Sequence, residues 1–333
     1  MKTNWQSHVH ALSEKRHRKT VEEFEKERKS LLDLVEEKSS QLEAALNLAS
    51  GKIHPTKVKI TDSPKAEATI VAVASDWHVE ETVDPKTVNG LNEFNLDIAE
   101  RRINAFWKNV VKLAEMQRKG VKADNLVLIL GGDMMTGYIH EELQESNGLS
   151  PTQTVLWLQD QIAGGIQFLS KHFEKIDIPC VMGNHGRCTK KPRHSTAAAN
   201  SYEWMMYHIL KKQLSSYANW HIADGYHLLL DVYGKTLRIH HGDGLKYQGG
   251  IGGLTIPVEK AIASWNKGIP ADLDIFGHWH QSQQNPKWIS NSSLIGYNAY
   301  SVAIKAAFEP PSQTLFMFDK RHGRTGTFPI FLD

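Results

Sequence analysis

Four stretches of this chain share one grammar, in which an apolar run breaks at a tight turn and a polar side chain follows. They are Gly131-Gly132-Asp133, Gly183-Asn184-His185, His240-His241-Gly242-Asp243 and Gly277-His278-Trp279-His280. A fifth, Asp76-Trp77-His78, closes the run ATIVAVA over residues 68–74. Apolar runs of this length bounded by turns read as buried strands. Glycine lets the backbone turn sharply, so the next side chain points back over the strand end. A chain that repeats this device must bring its strand ends together, and that restricts it to folds built on sheets.

The segments between the motifs set the fold class. A wide apolar stripe predicts a helix over residues 95–119, ended by Gly120. Strands are expected at 125–130 and 178–182, with further helices at 152–173 and 197–214. This alternation argues for an α/β domain. From about Trp220 the pattern changes to strands at 227–232, 235–240, 273–276, 287–290, 300–308 and 313–318, with one helix at 258–265. A second sheet packed on the first is the natural outcome.

Residues 1–60 differ from the rest. Residues 14–43 are dense in Glu, Lys and Arg, and Val21, Phe24, Leu31, Val35, Leu42, Ala45 and Ala49 follow a rough heptad interrupted by Arg28 and Lys38. This predicts one long amphipathic helix: packed on the main domain, dimerising with a second copy, or acting as a nucleic-acid arm through Lys15, Arg16, Arg18 and Lys19. A linker with a short strand at 58–60 follows, and the compact domain is expected over 66–333.

Bulk composition excludes several classes. The 333 residues are 41% hydrophobic and 23% charged, with a formal charge of +2, so neither a disordered chain nor a strongly basic one is indicated. No apolar run approaches the ~20 residues a membrane helix needs, and the N-terminus lacks a signal-peptide core. Two cysteines, Cys180 and Cys188, give no disulfide framework. A cytoplasmic protein without membrane contact is expected.

The candidate ligands are Asp76, His78, Asp133, Asn184, His241, His278 and His280. Oxygen and imidazole donors without thiolate suit Mn, Fe, Zn or Ni rather than a cysteine-type structural zinc. Seven are too many for one tetrahedral ion and fit two divalent ions sharing a carboxylate, an arrangement that clamps a phosphoryl group. Taken singly, each motif reads as a turn with a surface polar residue. Five in one chain, each at a strand end, read as a site. His240 competes with His241, since adjacent strand residues face opposite ways.

In order, Asp-x-His, Gly-Asp, Gly-Asn-His, His-Gly and Gly-His-x-His resemble the calcineurin-like metallophosphoesterases over roughly residues 68–318. The resemblance implies a four-layer α-β-β-α sandwich of two mixed sheets with a dinuclear metal centre, here joined to an N-terminal helical extension. It implies that Asp76, His78 and His280 bind one metal, that Asn184, His241 and His278 bind the other, and that Asp133 bridges them. His185 would be the catalytic residue, facing the phosphate and protonating the leaving oxygen, with a metal-bound hydroxide attacking in line. The preference for His241 rests on the family His that precedes a Gly. Two departures stand out. Gly186 occupies the place where the family commonly has Asp or Glu, and the Gly-Asp motif continues as Met134-Met135-Thr136-Gly137, which disfavours a protein phosphatase.

The substrate must be argued from the walls of the site. Residues 186–194 carry Arg187, Lys190, Lys191, Arg193 and His194, a cationic loop suited to phosphates beyond the scissile one. Arg187 and His140 are the candidate substrate contacts. Trp77 and Trp279 either pack or stack on bases. Gly249 to Gly253 lacks the residues of a phosphate-binding loop and reads as a flexible loop. Within the family the nearest likeness is to SbcD-type DNA repair nucleases and phage-encoded relatives. A manganese-dependent DNA nuclease is expected, with a small-molecule phosphodiesterase or phosphomonoesterase and a non-catalytic phosphate-binding scaffold as alternatives.

Overall fold

The computed structural model describes residues 3–49, 66–246 and 252–333. The expected strand at 58–60 and residues 249–251 of the glycine-rich loop lie outside the described residues. The chain divides into two units, Met1–Ser63 and Pro64–Asp333. In the first, one helix, α1 (Thr3–Ala49), carries the heptad, and Phe24, Leu31, Val35 and Leu42 are exposed along it. None of the described helices is long and apolar enough to cross a membrane.

The second unit begins with β1 (Glu67–Ala74), α2 (Leu96–Arg118), β2 (Lys122–Leu130), the single turn α3 (Leu143–Ser146), α4 (Pro151–Leu169) and β3 (Lys175–Cys180). It continues with α5 (Tyr202–Leu214), β4 (Asn219–Ile222), β5 (Leu228–Val232), β6 (Lys235–Ile239), α6 (Thr255–Trp265), β7 (Leu273–Phe276), β8 (Gln283–Asn285) and β9 (Trp288–Ser290). The chain closes with α7 (Ala299–Ala303), β10 (Ser312–Asp319) and β11 (Gly323–Phe331).

The first sheet has the order β11-β10-β1-β2-β3-β4, and the second β5-β6-β7-β9-β8. β1 to β4 run parallel, each linked to the next through a helix, while β10 returns antiparallel to β1. Alternation along the strands builds the layers. Ile70, Ala72, Leu126, Leu128, Ile176 and Ile178 face the helices, in one core with Phe106, Val110, Leu158, Ile162 and Leu210. Val71, Val73, Val127, Ile129, Phe316 and Phe318 face the second sheet, meeting Leu237, Ile239, Leu273, Ile275 and Ile289. Phe276 and Trp288, on the outer face of the second sheet, pack against Val258 and Ile262 of α6. The protein is thus an α-β-β-α sandwich of two mixed sheets. Burial on both faces explains why the strands read as unbroken hydrophobic runs.

One expected strand is a correction. Residues 300–308 form no strand. Asn298 instead caps α7, its side chain accepting from the Ser301 amide at 3.0 Å. Tyr300, Val302, Ile304 and Phe308, the large apolar residues of that stretch, are exposed. The cap satisfies amides that open a helix and leaves no ladder to continue. Three strands were missed: β4, β8 and the edge strand β11, which carries Pro329.

Candidate metal centre

The parallel strands β1 and β2 deliver Asp76 and Asp133 just past their carboxyl ends, and Asn184 follows β3. β6 and β7 deliver His241 and His278 in the same way. Sites in such sheets form outside these strand ends. Eight non-glycine residues among those described have positive φ, and five of them are candidate ligands: Asp76 (55°), His78 (47°), Asp133 (50°), His278 (69°) and His280 (53°). The left-handed region is costly for side chains with a Cβ and is held only where the surroundings over-determine it. Here it turns successive side chains of a short loop toward one point.

Two groups of ligand atoms result. Those of Asp76, His78 and His280 lie within 4.8 Å of one another, as do those of Asp133, His241 and His278. Within the groups, His280 Nε2 is 3.5 Å from Asp76 Oδ1 and His241 Nε2 is 2.8 Å from Asp133 Oδ2. The donor set fits divalent metal ions on a direct test. His78 Nε2, His241 Nε2 and Asn184 Oδ1 are buried with no well-aligned hydrogen-bond partner. Orphaned buried polar atoms are uncommon and call for an explanation. His241 Nδ1 lies 2.9 Å from the Gly131 carbonyl, which can only accept, so this nitrogen carries a proton and Nε2 is the atom turned toward Asp133. His78 Nδ1 is held by Thr136 Oγ1 at 3.1 Å. His240 faces the other way, stacked on Phe276 at 5.1 Å beside Trp265, which separates it from both groups.

Electrostatics favours the ligand forms of His78, His278 and Asp133. Burial, with His185 and His280 nearby, pushes His78 well below the usual imidazole range. Burial, with His241 adding to it, brings His278 down to about 3. Burial opposes ionisation of Asp133, yet His241 and His185 outweigh it and hold the carboxyl well below its ordinary value. Burial likewise opposes charge on His241, but the Asp133 carboxylate overcomes it and raises His241 well above the usual range. A metal ion entering this pair therefore displaces a proton.

His185 sits at the rim. Its amide donates to Asp133 Oδ1 at 2.7 Å, and its Nδ1 donates to the Thr136 carbonyl at 2.8 Å. Its ring packs edge-on against His78 with centroids 4.8 Å apart, and the exposed His140 ring is 6.4 Å away. Nε2 is thus the nitrogen free to exchange a proton with a bound ester. Arg187 braces the ligand loop, donating to the Asn184 carbonyl at 2.7 Å and to the Thr189 carbonyl at 3.2 Å. Lys190, Lys191, Arg193 and His194 are exposed just beyond it. Trp77 packs in the core against Phe106 and Trp107.

Sequence reasoning missed the residues that hold the ligands. Ser75 Oγ meets Asp76 Oδ2 at 2.5 Å, and Asn291 donates to the same hydroxyl at 2.9 Å. Glu80 accepts from the amides of Thr136 and Gly137 at 2.9 and 2.8 Å. Glu203 accepts from Met134 and Gly183. Burial pushes both Glu80 and Glu203 up to about 7. Only Glu80 carried a signal, as an acid two residues past His78. Glu203 lies in an apolar helix far along the chain.

No protein-family model matches the sequence, and no curated protein does. Solved structures are similar in part. A hypothetical protein from Pyrococcus horikoshii OT3 is 12% identical with a TM-score of 0.39, covering 80% of this chain and 89% of that one. Vps29 from Entamoeba histolytica, complexed with zinc, is 11% identical with a TM-score of 0.31, covering 79% and 99%. A predicted phosphoesterase from Streptococcus pneumoniae TIGR4 is 11% identical with a TM-score of 0.29, covering 79% and 98%. Likenesses at this level carry no argument about chemistry.

Proposed function

We propose that this chain is a dinuclear-metal phosphoesterase of the calcineurin-like kind, cleaving phosphodiesters, with DNA as its substrate. The observation that carries the reading is the pair of buried ligand groups with orphaned lone pairs, placed beside His185. Asp76, His78 and His280 would hold one divalent ion and Asn184, His241 and His278 the other, with Asp133 between them. Manganese suits these ligands, as do iron, zinc and nickel. When bound, such a pair lowers the pKa of water and neutralises charge on the phosphoryl oxygens. The protein's own part is positional. The Thr136 carbonyl fixes the His185 ring so that Nε2 can pass a proton to the departing oxygen. The exposed Lys190, Lys191 and Arg193 follow His185 in the chain and would attract a polyanion, and the His140 ring lies 6.4 Å from that of His185.

The test is degradation of labelled single- and double-stranded linear DNA in Mn²⁺ and in EDTA. A His185→Ala protein and bis-(p-nitrophenyl) phosphate serve as controls. Metal-dependent cutting lost in the variant supports a nuclease. The exposed carboxylates Glu141, Glu142 and Glu145, next to His140, favour a second reading, since they repel a polyanion. Hydrolysis of the small ester alone would select it. For α1 we propose pairing with a second copy through its exposed heptad.

A further inference from the structure

Gly186 stands where the resemblance leads one to expect a carboxylate, and the space beside it is not empty. A Cβ built on Gly186 would lie 2.6 Å from Glu203 Cγ and 2.9 Å from Glu203 Cδ. The backbone of Gly186 is outside the left-handed region, and the three atoms nearest a Cβ there all belong to Glu203. Residue 186 and the start of α5 are also tied together, because Tyr202 N donates to the Gly186 carbonyl at 2.8 Å.

Glu203 is wholly buried in the first turn of α5. Its Oε1 accepts from the amide of Met134 at 2.7 Å, one residue after Asp133. Its Oε2 accepts from the amide of Gly183 at 2.7 Å, one residue before Asn184. One carboxylate therefore clamps the two loops that present Asp133 and Asn184. A buried carboxylate taking two amide hydrogens is a strong, directional tie.

We propose that Glu203 is a positioning residue for the metal centre, a carboxylate supplied from α5 in place of one at position 186. This rests on the metal-centre reading above and adds to it the group that sets the separation of Asp133 and Asn184. The exchange is geometrically specific. The carboxyl carbon of a glutamate lies about 2.5 Å from its own Cβ, close to the 2.9 Å from a Cβ at 186 to Glu203 Cδ. A glutamate at 186 can thus occupy the same spot once Glu203 is shortened.

The experiment is Mn²⁺ titration by calorimetry on the chelator-stripped full chain. The proteins are wild type, Glu203→Ala, Glu203→Gln and the double variant Gly186→Glu/Glu203→Ala, each checked for folding by circular dichroism. The result expected is at least a tenfold loss of affinity at one of two sites in Glu203→Ala and Glu203→Gln. The double variant should recover most of it. Should Glu203→Ala not fold, Glu203→Gln carries the comparison, because its amide cannot accept from both backbone donors. The proposal is overturned if the folded single variants bind both ions as wild type does. It is equally overturned if a folded double variant is no better than the single one, or if wild type binds no ion. Affinity lost and regained in a protein that cuts no phosphoester would sustain the clamp and refute the enzymatic reading.

Discussion

The backbone amide of His185 donates to Asp133 Oδ1 at 2.7 Å, so the residue proposed to protonate the leaving group is tethered to the carboxylate proposed to lie between the ions. Asp133 Oδ2 faces His241 at 2.8 Å. One carboxylate thereby fixes both the metal site and the register of His185 against it. The two residues should separate cleanly under mutation. Asp133→Asn is expected to weaken metal binding by at least ~10–100-fold, the range seen even for groups behind the ligands. His185→Ala should leave metal stoichiometry unchanged and lower kcat by about 10²–10⁴-fold. Metal content by mass spectrometry beside steady-state kinetics checks both.

Gly183 is a position where the site tolerates no side chain. A Cβ there would lie 1.9 Å from Asp133 Oδ1 and 2.3 Å from the Asp133 amide. Gly183→Ala is expected to destabilise the protein by about 1–3 kcal/mol through overpacking and to abolish binding of one ion. Thermal unfolding with and without Mn²⁺ separates the two effects, since the wild type should gain from metal and the variant should not.

Acid should destabilise the metal-free protein from the histidine side. Burial, with His227 and Arg238 beside it, pushes His240 well below its ordinary value. Asp274, 3.7 Å from Nε2, is already held by Arg238 at 2.7 and 3.0 Å. Burial and Arg238 also bring His227 down to about 4. The folded pKa lies below the unfolded value of ~6.5, so these groups cost nothing above that pH. The folded state is penalised as pH falls through it, by about 1.4 kcal/mol per fully buried group at pH 5.5. In EDTA the Tm should therefore drop between pH 6.5 and 5. His240→Leu should drop less, and an equal drop would show that His240 accepts a proton without cost.

Much of the site was legible because its grammar is local. Asp76, Asp133 and Asn184 follow runs whose burial the pattern revealed, and the turn after each run needs nothing distant. His241 was preferred over His240 on the family resemblance, and in the structure His240 stacks on Phe276 while His241 lies with Asp133 and His278. Glu203 was invisible because its meaning depends on Gly183 and Met134, brought to it by the fold. The strand expected at 300–308 failed for a related reason. Alternating Tyr300, Val302 and Ile304 fit a strand equally well until the Asn298 cap is seen to start a turn of helix. β11 carries Pro329 and the exposed Thr325, and an edge strand needs no strong apolar signal.

The exposed heptad of α1 predicts association of the full chain. Leu31 and Val35 are 55% and 60% exposed, and an amphipathic helix draws most of its stability from packing its apolar face. Leu31→Lys is expected to lower the mass measured by light scattering from that of a dimer toward that of one chain, with phosphoesterase activity retained. An unchanged mass would place the contact elsewhere.

The most direct test of the central claim is hydrolysis of bis-(p-nitrophenyl) phosphate by chelator-stripped protein reloaded with Mn²⁺, with Asp133→Asn alongside. No turnover is expected in EDTA, with turnover rising to a plateau near two ions per chain on reloading and lost in the variant. Wild-type protein holding two ions per chain yet hydrolysing neither this ester nor DNA would contradict it.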